Sequence, residues 1–269
     1  MTVATLADVL DGPRAVAGLV VLGWEDARAY VLAAEAEGRP VILQAGPGAR
    51  AYTPLRVLGA MFRVLAEGAS VPVVCHLDHG EGFEVCRQAV EAGFSSVMYD
   101  GSALPLAENI DITQRVVEMA HAAGVSVEAE LGVVGYAGGK RSVVTDPAEA
   151  VAMAATGIDA LAVSVGNVHL MTDRVAAIDI PALQAIGKAV PGLPLVLHGG
   201  SGIAPAMRAR IVAETVVRKF NIGTELRQVW GSALREAVAR DAGRYDRIEI
   251  LSETVTPLAE AARAVIRGL

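Results

Sequence analysis

The chain has 269 residues, 53% of them apolar and only 4% aromatic, with a formal net charge of −7. That length suits one α/β barrel, with a core resting on Ala, Val, Leu and Ile, and the acidic balance argues against a nucleic-acid surface. No uninterrupted run of about 18 apolar residues predicts a membrane span, and the two cysteines, Cys75 and Cys86, form no CxxC pattern, which favours buried thiols in a reducing cytoplasm.

The N-terminal stretch MTVATLADVLDGPRAV carries acids and no long apolar run, so it does not read as a signal peptide. Beyond it, strands are predicted over Gly18–Leu22, Pro40–Gln44, Pro72–Leu77, Ser95–Tyr99, Ser126–Leu131, Ala160–Val165, Pro194–His198 and Val216–Asn221. Helices are predicted between them, the clearest over Glu25–Glu37, Pro54–Glu67, Phe83–Ala92, Ala107–Ala123, Pro147–Thr156, Ile180–Ala189 and Ala204–Ala213. Two more, Thr224–Arg240 and a terminal one near Pro257–Arg267, follow the last strand. Continuous apolar strands alternating with helices imply a parallel sheet covered on its faces. Eight of them predict a single (β/α)8 TIM-barrel domain over residues 1–269, with an open doubly wound sheet as the alternative. The segment Gly132–Thr145 has four glycines and no apolar face, and is expected to move over the site.

Three histidines, His79, His169 and His198, sit where predicted strands run out. A fold that gathers strand ends around one point would bring them together, and neutral imidazole is the commonest protein ligand of zinc. Asp78 precedes the first of them and suits either proton transfer beside a metal or orientation of a ligand ring. His76 reads as a core or supporting histidine and His121 as a surface one. Glu128 and Glu130 alternate on one strand and so face one side, as a metal ligand and its supporter or as partners of basic residues. The turns HGGSG (198–202) and NIGTE (221–225) offer backbone N–H groups with Ser201, Asn221 and Thr224. They follow the last two predicted strands, where barrels commonly hold phosphate.

The blocks HLDHG (76–80), SVMYDGSALPLAENI (96–110), VEAELG (127–132), TDPAEA (145–150), ALAVSVGNVH (160–169), LVLHGGSG (195–202) and KFNIGTEL (219–226) resemble the class II, zinc-dependent fructose-bisphosphate/tagatose-bisphosphate aldolase family. The resemblance implies a lyase that breaks and forms the C3–C4 bond of a ketose (bis)phosphate through an enediolate, releasing dihydroxyacetone phosphate. It assigns zinc to His79, His169 and His198, with Glu130 as an alternative ligand, and proton transfer at the C4 hydroxyl to Asp78. It places Gly199, Ser201, Asn221 and Thr224 around the C1 phosphate and Arg227 at the distal one. It also implies a sodium or potassium ion beside the phosphate, a small-molecule sugar phosphate as partner with no nucleic acid or membrane, and a homodimer or homotetramer, for which the apolar C-terminal helices offer an interface.

The sequence departs from the family pattern at Val20, where relatives have asparagine, at Leu170, where they have glycine, and at Gly223, where fructose-bisphosphate-specific members have aspartate. The acids of the mobile loop are missing too, which leaves Tyr136 and Lys140 as its titratable groups near the site. These departures favour an altered substrate: another phosphorylated ketose, an acidic or shorter one, or an unphosphorylated sugar. They also keep open a non-catalytic sugar-phosphate-binding homologue and an isomerase or epimerase using the same enediolate.

Overall fold

The computed structural model describes residues 2–136, 142–241 and 243–269. Eight parallel strands form the barrel: β1 Val16–Val20, β2 Val41–Ala45, β3 Val73–Gly80, β4 Ser96–Tyr99, β5 Ser126–Leu131, β6 Ala160–Val163, β7 Leu195–Leu197 and β8 Val217–Ile222. Each pairs with its sequence neighbour and β8 closes the ring against β1, as the alternation of strands and helices predicts. The helices are α1 Leu6–Leu10, α2 Trp24–Glu37, α3 Pro47–Tyr52, α4 Leu55–Gly68, α5 Phe83–Glu91, α6 Leu106–Ala122, α7 Pro147–Ala154, α8 Ile180–Ala189, α9 Pro205–Glu214, α10 Thr224–Arg240 and α11 Arg247–Arg267.

Alternation along each strand divides the side chains into two layers. One set, including Leu19, Leu43, Leu77, Val127, Leu161 and Phe220, faces the surrounding helices in one continuous apolar layer. The other set fills the barrel. Its N-terminal half is apolar, with Val16, Ile42, Val74, Met98, Ala160, Ala162 and Val196 packed in a cluster with Leu6 and Leu10 of α1. Thr5 caps α1 in a reciprocal box with Asp8, and the Leu6 amide donates to Ser126 Oγ at 2.9 Å, so this short helix plugs the bottom of the barrel. The C-terminal half is polar: Gln44, His76, Asp78, Glu128, Glu130, His198, Lys219 and Asn221 are all buried there. Buried polar groups need partners, and the barrel holds its own at the end where barrel chemistry takes place.

The last helix begins ten residues before its expected start at Pro257, capped by Asp246 through the Ile248 and Glu249 amides. Proline is favoured in a first helical turn, which is why Pro257 reads as a beginning, yet here it lies inside the helix. The apolar face of α11, with Leu258, Ala262, Val265 and Ile266, is buried within the chain, so it is not the free interface the sequence suggests. Arg267 and Arg263 bind Glu37 and hold its carboxyl at about 2. The tie is complete above the ordinary carboxylate value and is lost as pH falls through about 2. The difference in melting temperature between the wild type and Glu37→Gln is therefore expected to shrink as pH falls below about 4.5; a constant gap would show that the ion pair adds nothing.

Candidate metal and substrate site

Regular alternation would turn Asp78 and His79 to opposite faces of β3. The register of β3 against β4 shifts between Leu77 and Gly80, and His79 takes a left-handed φ of 49°. Both side chains thereby face the barrel: Asp78 Oδ1 accepts from Asn221 Nδ2 at 3.0 Å, and the His79 ring centroid lies 4.6 Å from that of His198. A left-handed non-glycine residue is strained, and such strain concentrates at functional sites.

His198 follows β7 directly. His169 does not end a barrel strand, because β6 stops at Val163 and His169 lies on the two-residue strand Val168–His169, which pairs with Gly135–Tyr136 over the barrel mouth. The expected mobile segment is thus anchored at its start, and Val133 bridges to Val143 across it. Lys140 and the Tyr136 side chain lie outside the described residues. The three rings nevertheless converge, His169 standing 5.2 Å from His79 and 5.6 Å from His198 between centroids.

The partners of the rings fix which nitrogens meet. His79 Nδ1 donates to Asp100 Oδ2 at 2.7 Å, and His198 Nε2 donates to Glu128 Oε1 at 3.0 Å. That leaves His79 Nε2 and His198 Nδ1 face to face at 3.0 Å. Ligand nitrogens around a tetrahedral zinc are about 3.3 Å apart, from Zn–N bonds of ~2.0 Å. A carboxylate on the far nitrogen of each ring is the usual support of a metal-bound histidine. Glu130 Oε2 lies 3.8 Å from His79 Nδ1 and 3.6 Å from His198 Nδ1, buried and without a hydrogen-bond partner. The donor set therefore fits a divalent metal, on His79, His169 and His198 or on His79, Asp100 and Glu130.

The electrostatics agree. Burial, then the charge of His79, pushes His169 down to about 4 and holds His198 well below its ordinary value, so both rings are neutral at pH 7, the form a metal would need. Burial also opposes charge on His79, but Asp78, the Asp100 hydrogen bond and Glu130 outweigh it and raise His79 to about 10. Burial and the nearby Asp100 charge raise Glu130 to about 8. Without a metal, a proton occupies the line between His79 Nε2 and His198 Nδ1; the same carboxylates would favour a cation in its place.

Below the histidines lies a closed network. Lys219 Nζ, fully buried, donates to Glu128 Oε2 at 2.7 Å, and His76 Nδ1 meets Ser96 Oγ at 2.8 Å. Glu128 thus pairs with a base, as one of its two readings expects, and its other oxygen accepts from His198 Nε2. His121 lies on the surface, bound to Asp159 at 2.9 Å.

A cavity of about 340 Å³ opens above Asp78, His79, His169 and Asn221. Gly199, Ser201, Thr224 and Arg227 line one side of it. Gly199 has a φ of 66°, and a Cβ there would lie 2.2 Å from Val168 O, so only glycine fits. Ser201 Oγ accepts from the Gly223 and Glu225 amides at 3.3 and 3.2 Å, which leaves its own proton to donate to a ligand. Buried Arg208 ties the two loops together by bonding Gly200 O at 3.0 Å and Glu225. Arg227 Nη2 donates to Thr224 Oγ1 at 3.1 Å at the cavity edge. Val20, Leu22, Pro47 and Leu170 line the remainder with apolar surface.

All ten residues predicted for the site thus gather at one end of the barrel, with Glu130 and His198 beneath the cavity. Sequence reasoning missed Asp100, Lys219 and Gln44. Asp100 directly follows β4, and the same strand-end rule that found His198 would have found it. Gln44 lies beneath the cavity, where the missing side chain of Gly18 makes room for it: a Cβ on Gly18 would fall 2.1 Å from Gln44 Oε1.

The sequence matches the family described as Fructose-bisphosphate aldolase class-II over residues 2–269. It is 38% identical over 271 residues to a fructose-bisphosphate aldolase of Geobacillus stearothermophilus, covering 98% of this chain and 92% of that protein. It is 40% identical over 254 residues to a probable fructose-bisphosphate aldolase of Bacillus subtilis, covering 91% and 86%. The crystal structure of the YdjI aldolase from Escherichia coli K12 superposes with a TM-score of 0.86 at 31% identity, covering 99% of this chain and 96% of that one. Among the described residues no helix is long and apolar enough to cross a membrane. With its closed barrel, converging histidines and matches along nearly its whole length, the chain belongs to the class II fructose-bisphosphate aldolase family, whose members are in general zinc-dependent lyases.

Proposed function

We propose that the protein reversibly cleaves the C3–C4 bond of a ketose carrying a C1 phosphate, releasing dihydroxyacetone phosphate and an aldehyde. The observation that carries this reading is the placing of Asp78 and two of the three histidines on the floor of a cavity walled by Ser201, Thr224 and Arg227. Zinc held by His79, His169 and His198, with Glu130 as an alternative ligand, would supply Lewis-acid stabilisation of the negative charge that develops at the ketose oxygens. The Ser201 hydroxyl, the loop around Gly199, Thr224 and Arg227 bind the phosphate and fix the donor end of the ketose. Asp78, held by Asn221 Nδ2 at 3.0 Å, takes the C4 hydroxyl proton. The C4–O bond closes to the aldehyde carbonyl, the C3–C4 pair passes to the C2 carbonyl, and a proton taken up from solvent at C3 completes dihydroxyacetone phosphate. In the synthetic direction Asp78 returns that proton.

Retention of the proton carrier beside a complete donor set favours turnover over a binding-only role. Resemblance to the family supports three further elements of this reading: a sodium or potassium ion at the phosphate, a homodimer or homotetramer, and a cytoplasmic location. The test is dihydroxyacetone phosphate release from a panel of ketose 1-phosphates and ketose 1,6-bisphosphates. EDTA-sensitive release supports the proposal, and interconversion of ketoses without a three-carbon product would replace it with an isomerase.

Leu170 adjoins His169 with a left-handed φ of 59° and half its surface exposed at the cavity edge. Left-handed backbone disfavours side chains by ~1–2 kcal/mol, so its retention favours a role for the side chain in narrowing the entrance. Leu170→Gly is expected to match or exceed the wild type in melting temperature while broadening the range of ketoses cleaved. A narrowed range, or a lower melting temperature, would contradict this.

A further inference from the structure

We infer that Arg50 is a positioning residue that holds the backbone of Asp78 and His79 in its bent form. The need for it begins in the sheet. β2 pairs with β3 as far as Ala45 opposite Leu77, and then leaves the barrel to form α3. The carbonyls of Asp78 and His79, beyond that last pair, have lost the strand that would have supplied donors. On the other side β4 still serves β3, with the Asp100 amide donating to Gly80 O at 2.9 Å. Arg50 sits on α3, in the chain segment that departed, and its guanidinium reaches back. Nη1 donates to Asp78 O at 2.7 Å and to Ala45 O at 3.1 Å, and Nη2 donates to His79 O at 3.0 Å.

A planar fork of donors suits this task, since one group satisfies carbonyls on two strands at fixed angles. It does so at the residue whose left-handed φ turns a metal-ligating ring inward. Met98 Sδ completes the clamp by accepting from the His79 amide at 3.4 Å. The arginine bonds the backbone carbonyls of the two floor residues Asp78 and His79, and so acts through the peptide units that carry their side chains. The same segment, Gly46 to Ala49, lines the cavity, so Arg50 also ties that wall to the metal-ligating strand.

The inference rests on reading the histidines as metal ligands, and the test has an arm that does not. Arg50→Met and Arg50→Lys are compared with Arg39→Met, a control in which an arginine bonded to the carbonyls of Ala15 and Ile266 is lost far from the site. In the metal-free proteins, amide exchange over residues 77–80 is expected to rise about tenfold or more in Arg50→Met and to stay at the wild-type rate in Arg39→Met. With cobalt(II) as the probe, Arg50→Met is expected to lose roughly 10- to 100-fold in affinity, the range for lost supporting contacts at metal sites, and to show an altered d–d spectrum. Arg50→Lys is expected to fall between, because an ammonium cannot serve the same three acceptors. Wild-type exchange over residues 77–80 in Arg50→Met would overturn the inference. Faster exchange with unchanged cobalt binding would overturn its extension to the metal. Failure of the wild type to bind cobalt would instead sink the metal reading, and the exchange arm would still decide the role of Arg50 in the bend.

Discussion

Replacing Asp78 with asparagine is expected to lower kcat for ketose cleavage by roughly a hundred- to ten-thousand-fold, the range for loss of a positioned proton carrier. The substitution keeps the shape of the side chain and an oxygen to accept from Asn221 Nδ2, so the fold and the metal donor set should survive. Zinc content and melting temperature are therefore expected to stay near the wild-type values while turnover falls. KM should change little, because the proposed phosphate contacts lie elsewhere, on the loop after β7 and the start of α10. A loss of less than tenfold would mean that another group carries the C4 proton.

Replacing Lys219 with methionine is expected to have the largest effect on stability. The side chain is fully buried and its ammonium lies 2.7 Å from Glu128 Oε2, itself fully buried. Methionine fills nearly the same space but leaves a buried carboxylate without its cation, a loss of about 3–5 kcal/mol. In a chain of this size that lowers the melting temperature by roughly 10 °C. The double variant Lys219→Met, Glu128→Leu should recover much of that stability, because no charge is left unpaired. It should not recover metal affinity, because His198 Nε2 has then lost the acceptor that fixes its tautomer. Recovery of both would show that the network beneath the histidines is structural only.

The barrel could be read from the sequence because its strands are continuous apolar runs and its helices carry clear periodicity. The strand-end histidines could be read because a polar residue ending an apolar run has few structural reasons to be there. What stayed hidden depended on breaks from regularity. Alternation predicts that Asp78 and His79 face opposite ways, and only the left-handed bend at His79 puts both in the barrel. His169 lies six residues beyond β6 on a cross-mouth strand, a pairing set by two loops distant in sequence. Lys219 sits in the mixed strand VRKFNI beside Arg218, with its partner 91 residues away, and Arg50 looks like any surface arginine on a short helix until the departing strand is seen to leave carbonyls for it. The start of α11 was obscured for a local reason, since Pro257 imitates a first turn.

The central claim is a metal held by three histidines that serves C3–C4 cleavage. Its most direct test is elemental analysis of the purified protein, paired with dihydroxyacetone phosphate release from the ketose phosphate panel before and after EDTA. About one zinc per chain is expected, with cleavage abolished by the chelator and restored by zinc, and neither metal nor cleavage in His198→Ala. A protein that takes up no zinc on reconstitution, or that cleaves equally well with and without it, would contradict the account.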